Sequence, residues 1–132
     1  MPRNHLFHSI DSLFGPAPGL VMQQIIETIE RVAVSDLGIL IVGEEGAGKE
    51  WLARMIHRLS GRGSHQLVTI DCSTVNHSQV ERALFGSGKA EKRSVLQDAA
   101  GGTLILGRIS ELSPELQMKI VRTFEHQHYR RL

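Results

Sequence analysis

The sequence has a single cysteine, Cys72, which excludes an internal disulfide and fits a reducing compartment. It has no apolar run approaching the ~20 residues that a helix needs to span a bilayer. Its first residues, Met1-Pro2-Arg3-Asn4-His5, lack the pattern of a secretory signal. A soluble, cytoplasmic chain with no membrane contact is expected. Charge of one sign is missing too: 15 Lys and Arg against 14 Asp and Glu leave a formal charge of +1. That excludes a broad basic field for nucleic acid, and Arg130 and Arg131 alone do not make one. No internal repeat or low-complexity tract is present. Seven histidines occur, but no cysteine or carboxylate cluster completes a four-ligand set beside His5 and His8 or His126 and His128. No metal site is expected.

What remains is an ordinary globular length. With 132 residues the chain is expected to form one domain, burying roughly two-thirds of its unfolded surface. Residues 1–16 read as a segment over the surface and residues 17–132 as the core. Three apolar runs read as strands: Leu37-Gly38-Ile39-Leu40-Ile41-Val42, Leu67-Val68-Thr69-Ile70, and Thr103-Leu104-Ile105-Leu106. Helical spacing lies between them. Val21, Ile25, Ile26, Ile29 and Val32 form one stripe. Trp51, Leu52, Met55, Ile56 and Leu59 form another. Asn76 stands at a cap position with Gln79 three residues on, and residues 93–100 read as one or two helical turns. Ser113-Pro114 starts a last helix, expected to bury Leu116, Ile120, Val121 and Phe124. Residues 128–132 read as the start of another strand. Strands alternating with helices imply an α/β fold with a mostly parallel sheet covered on both faces. Ligands in such sheets sit at the carboxyl ends of the strands, here residues 43–49, Asp71, and Gly107-Arg108.

The first of those ends is the most specific. Gly43-Glu44-Glu45-Gly46-Ala47-Gly48-Lys49 links an apolar run to a helical one, the setting that a phosphate-binding loop requires. Glycines let successive N–H groups turn inward onto phosphate oxygens. The following helix start favours an anion, and Lys49 can reach the terminal phosphates. The hydroxyl usual after the lysine is here Glu50.

With Glu50 included, this loop resembles the G-E-S-G-T-G-K-E loop of bacterial sigma-54-dependent activators, which are AAA+ ATPases. The resemblance continues at Ile56-His57-Arg58-Leu59-Ser60, Asp71-Cys72-Ser73, Leu84-Phe85-Gly86, Ala100-Gly101-Gly102-Thr103-Leu104 and Leu116-Gln117-Met118-Lys119, spanning about residues 13–131 in the family's order. It implies the amino-terminal part of a P-loop NTPase-like, three-layer α/β/α domain without its helical lid. It implies ATP or ADP as ligand, held by Gly43, Glu44, Glu45, Gly46, Ala47, Gly48, Lys49 and Glu50. Leu13-Phe14-Gly15 is similar to the stretch that lies against the adenine, which adds Phe14 and Gly15.

Several departures bear on chemistry. The family's metal strand is similar to G-G-T-L-F-L-D-E, whereas this chain ends it with Gly107 and Arg108. A guanidinium accepts no proton near neutral pH and repels magnesium. No catalytic residue is therefore expected, and Mg2+ loses its carboxylate. The family's V-N-C reads Ile70-Asp71-Cys72 here, so an Asp71–Arg108 ion pair is expected to fill the former catalytic corner. The long loop carrying G-A-F-T-G-A, which touches the sigma factor, is replaced by Ser87-Gly88-Lys89-Ala90-Glu91-Lys92-Arg93. Direct sigma-54 contact is therefore not expected. The family's sensor strand, arginine fingers, lid and DNA-binding helices would follow Leu132, so no DNA-binding segment is expected either. Partners implied are intact activator subunits or further copies of this chain. Three functions compete: a nucleotide-binding regulatory domain with hydrolysis impaired or absent, a non-catalytic interaction module, and an active ATPase of an activator.

Overall fold

The computed structural model describes residues 19–73, 76–87 and 93–129, the last four as backbone only. In chain order the elements are α1 (Leu20–Ala33), α2 (Lys49–Leu59), β1 (Leu67–Asp71), α3 (His77–Phe85), α4 (Val95–Asp98), β2 (Thr103–Gly107), a 3-10 turn (Ile109–Glu111) and α5 (Pro114–Tyr129). Two strands pair in parallel, from Leu67 opposite Thr103 to Asp71 opposite Gly107. The Cys72 N–H donates to the Gly107 carbonyl at 2.9 Å and carries the ladder one step further. Gly102 admits the chain to β2. A Cβ there would stand 2.0 Å from the Gln66 carbonyl oxygen, so any side chain forces the two backbones apart.

The alternation of strand side chains divides the molecule into layers. Ile70, Leu104 and Leu106 face one way, onto a buried cluster of Cys72, Val80, Leu84, Leu112, Leu116 and Ile120 supplied by α3, α5 and the connecting turns. Thr103 faces the other way, where its Oγ1 lies 2.9 Å from Nδ1 of His57 on α2. Outside that layer, Met22, Ile26 and Ile29 of α1 meet Trp51, Leu52 and Met55 of α2. This helix–sheet–helix order is the expected α/β arrangement. Side-chain caps start three of the helices. Asn76 Oδ1 accepts from the Gln79 N–H at 2.9 Å, and Ser113 Oγ from the Leu116 N–H at 3.3 Å. Ser94 and Gln97 close a reciprocal capping box that the sequence reading did not single out.

Three expectations are corrected. Residues 37–42 form no strand; they carry no regular structure, and Leu37, Ile39, Leu40 and Val42 are 68%, 43%, 74% and 84% exposed. The apolar run signals a wish for cover, but a strand exists only where a neighbour takes its N–H and C=O groups. Among the described residues β1 and β2 pair with each other. On α5, Leu116 and Ile120 are buried while Val121 and Phe124 are exposed. One stripe of the helix fits the core; Val121 lies outside it, and Phe124 sits at its edge beside Leu84, Phe85 and Ile120. The same helix runs through Tyr129, so residues 128 and 129 begin no strand; residues 130–132 lie outside the described ones.

Leu84 is 1% exposed, so Leu84→Ala is expected to cost about 3 kcal/mol in urea unfolding. Leu40→Thr and Val42→Thr should each stay within about 0.5 kcal/mol, as for surface positions. Equal losses at Leu40 and Leu84 would contradict the exposure described. His57 gives a pH test. Burial, then the nearby positive charges of Arg58 and His65, hold its imidazole below the usual value of 6.5. A depressed folded value means that the unfolded chain binds the proton first. Stability is then fully present above about pH 6.5 and is lost as pH falls toward the depressed value. Thermal melts between pH 7 and 5 should show that slope, and His57→Gln should flatten it.

Candidate functional site

The loop between residue 42 and α2 is open to solvent and is built by two left-handed glycines. Gly46 has φ 77° and Gly48 has φ 87°, with Ala47 between them in the ordinary negative range. That alternation turns successive N–H groups to one side, the geometry of an anion-binding nest. No atom lies within 4 Å of a Cβ built at Gly46 or Gly48, so the requirement for glycine there is conformational. Gly48 is also the N-cap of α2, whose 11 residues direct their positive end at that space. The Glu44 carbonyl accepts from Ala47 N–H at 3.2 Å, which closes the turn. Lys49 folds back over it, with Nζ donating to the carbonyls of Gly43 at 2.6 Å and Glu44 at 2.5 Å. Glu50 does not aim into the loop's mouth; its carboxylate pairs with Arg54 at 2.7 Å, one turn along α2.

Parallel pairing brings the other two strand ends alongside. Gly107 closes β2 opposite Asp71, and Arg108 follows in the left-handed region at φ 54°, ψ 42°. From there Arg108 Nη1 donates to Ser73 Oγ at 3.0 Å. That hydroxyl donates in turn to Asp71 Oδ1 at 2.7 Å, and the Ser73 N–H reaches the same oxygen at 2.9 Å. The expected Asp71–Arg108 association is therefore bridged by Ser73, a residue to which the sequence reading gave no role. Its signal was local: Asp with Ser two residues on is the spacing of an Asx-type turn. The second arm was not legible. Arg108 Nη2 lies 3.6 Å from Glu45 Oε1, which ties the end of β2 to the tip of the glycine loop.

Hydrogen bonds from Ser73, through its backbone and then its hydroxyl, hold the Asp71 carboxyl below the usual range, with a smaller contribution from Arg108. Burial and the Asp71 charge push the Cys72 thiol up, so it stays protonated, as expected of a small buried side chain.

The donor set has the chemistry to meet an anion, and the end of β2 offers no carboxylate to a cation. Gly46, Gly48, Lys49 and the α2 N-terminus offer N–H donors and positive charge. At the end of β2, Gly107 has no side chain and Arg108 repels a cation. No group of three His, Cys, Asp or Glu residues among the described ones is placed to hold a metal. Phe14 and Gly15 lie outside the described residues.

Taken together, the fold and loop define a P-loop type of α/β domain, and comparison with known proteins narrows the class. The family model for the Sigma-54 interaction domain matches residues 18–132, and the chain belongs to that family. The Nif-specific regulatory protein of Rhizobium etli is 36% identical over 131 residues, covering 94% of this chain and 22% of that protein. The transcriptional regulatory protein ZraR of Salmonella typhimurium is 37% identical over 127 residues, covering 91% and 28%. The chain thus spans 22% to 28% of these two curated relatives. The crystal structure of NtrX from Brucella abortus in complex with ATP superposes with a TM-score of 0.72 at 40% identity, covering 80% of this chain and 24% of that one. The NtrX complex with ADP gives 0.73 at 38% identity, covering 89% and 26%. No helix among the described residues is long and apolar enough to cross a membrane.

Because Ser73 supplies the two leading hydrogen bonds, Ser73→Ala should raise the Asp71 carboxyl back toward the usual carboxylate range, as read by carbon NMR titration. An unmoved titration would mean that the bridge does not persist in solution.

Proposed function

We propose that this domain binds ATP or ADP on the glycine loop and serves a regulatory role in bacterial transcription, with hydrolysis slow or absent. The observation that carries the reading is the contrast between the two sides of one site. An open nest with Lys49 at its rim faces a strand end where Gly107 and Arg108 stand in place of acids. The related NtrX was crystallised with both nucleotides, which supports the ligand class. The loop residues Gly43, Glu44, Glu45, Gly46, Ala47, Gly48 and Lys49 would hold the phosphates through backbone N–H groups and the lysine. Phosphoryl transfer depends on a positioned nucleophile and stabilised developing charge. Arg108 can stabilise charge but cannot take a proton from water, so the arrangement favours binding over turnover.

One observation favours a second reading, an interaction module joining or capping a ring of intact activator subunits. The exposed apolar side chains of residues 37–42 form the kind of surface that partners cover. Co-elution with an intact activator, with and without nucleotide, separates this reading from the first.

Nucleotide that binds the folded state must raise the melting temperature. ATP at about 100 times its Kd should add about 2.7 kcal/mol of stability. Lys49→Ala should abolish the shift, and phosphate release should remain at background in both proteins. No shift at millimolar ATP or ADP would overturn the binding reading, and steady phosphate release lost on Lys49→Ala would restore an active ATPase.

A further inference from the structure

The mismatch between the site and a magnesium ion has a positive counterpart. We infer that Arg108 takes over the role of the divalent cation as counter-charge to the bound phosphates, so that this domain binds ATP in metal-free solution. The inference rests on the nucleotide reading above.

Three observations carry it. The first is reach. Arg108 follows β2, yet its Nη2 lies 3.6 Å from Glu45 Oε1 at the tip of the glycine loop. The guanidinium therefore lies beside the glycine loop, within reach of its Glu45 side chain. The second is capacity. A guanidinium has five N–H donors in a rigid fork that matches phosphate oxygens, more than its contacts to Ser73 and Glu45 occupy. The third is the charge balance of the loop. Glu44, Glu45 and Glu50 place three carboxylates around it, and an incoming polyphosphate adds more negative charge. Arg54 pairs with Glu50, and among the described residues Lys49 and Arg108 are the cations whose side chains contact the glycine loop. Both hold replaceable partners. Lys49 sits on two loop carbonyls, and Glu45 is 91% exposed, so its ion pair is held in high dielectric and exchanges readily for phosphate. Ser73 keeps the other arm of the guanidinium in place during that exchange. A divalent cation brought to the same point would meet the positive charge of Arg108.

The test is calorimetric titration of the folded chain with ATP, once in excess EDTA and once in excess magnesium. Wild-type affinity in EDTA should lie within about threefold of that in magnesium. Arg108→Asn keeps a residue that tolerates the left-handed backbone and removes the guanidinium. It should weaken binding in EDTA by roughly tenfold or more, while Arg108→Lys should retain part of the affinity. Glu45→Gln should tighten binding in EDTA, because it removes the carboxylate that competes for Arg108. Circular dichroism melts of each variant without ligand separate lost binding from lost folding. Binding by the wild type only with magnesium overturns the inference and leaves the nucleotide reading standing. Wild-type affinity of folded Arg108→Asn in EDTA overturns it as well. No heat in either buffer takes down both.

Discussion

The parallel pairing of β1 with β2 is the constraint on which the site depends. Five residue pairs, from Leu67 with Thr103 to Asp71 with Gly107, set the level at which both strands end. A slip of one residue would turn either Ile70 or Leu104 and Leu106 out of the core, so the register is fixed by burial. The same register sets Asp71 beside Gly107 and leaves Arg108 the next step of the chain. The close approach of Gly102 to Gln66 pins the other end of the pair, where a methyl group could not fit. Hydrophobic packing thus places a polar corner whose own contacts are exposed and individually weak.

The fold was legible wherever the signal was local. Helical spacing, the Asn76 cap and the Ser113-Pro114 start marked elements that the structure contains. The glycine loop was equally clear, since positive φ at Gly46 and Gly48 demands that residue type. Residues 37–42 misled because an apolar run reports a preference for burial, whereas a strand needs a partner that the run itself does not encode. Val121 and Phe124 misled for a related reason: helical period identifies a stripe but not its width. The bridge through Ser73 left a trace in the spacing of Asp71 and Ser73. The contact between Arg108 and Glu45 left none, because it joins positions 63 residues apart through a backbone turn that no motif announces.

A guanidinium at the end of β2 decides what the corner can do. A carboxylate at the end of β2 would gather a cation and orient water. A guanidinium there donates only, and it is satisfied by acceptors: the Ser73 hydroxyl, Glu45, or the oxygens of an anion. Asp71 completes the arrangement. Held ionised by the Ser73 hydrogen bonds, it keeps negative charge near Arg108. The nest and the corner are therefore coupled through one flexible, charged side chain.

The backbone at Arg108 gives that side chain its direction. Among the described residues it is the only non-glycine residue with positive φ. A left-handed turn costs an L-residue about 1 kcal/mol, and glycine would avoid that cost. If the turn served only to lead β2 into the 3-10 segment, glycine would be the economical choice. From this left-handed step the guanidinium reaches Ser73 with one nitrogen and Glu45 with another. The left-handed residue at the end of β2 is thus a long cation, and its contacts to Ser73 and Glu45 offset the cost of its backbone.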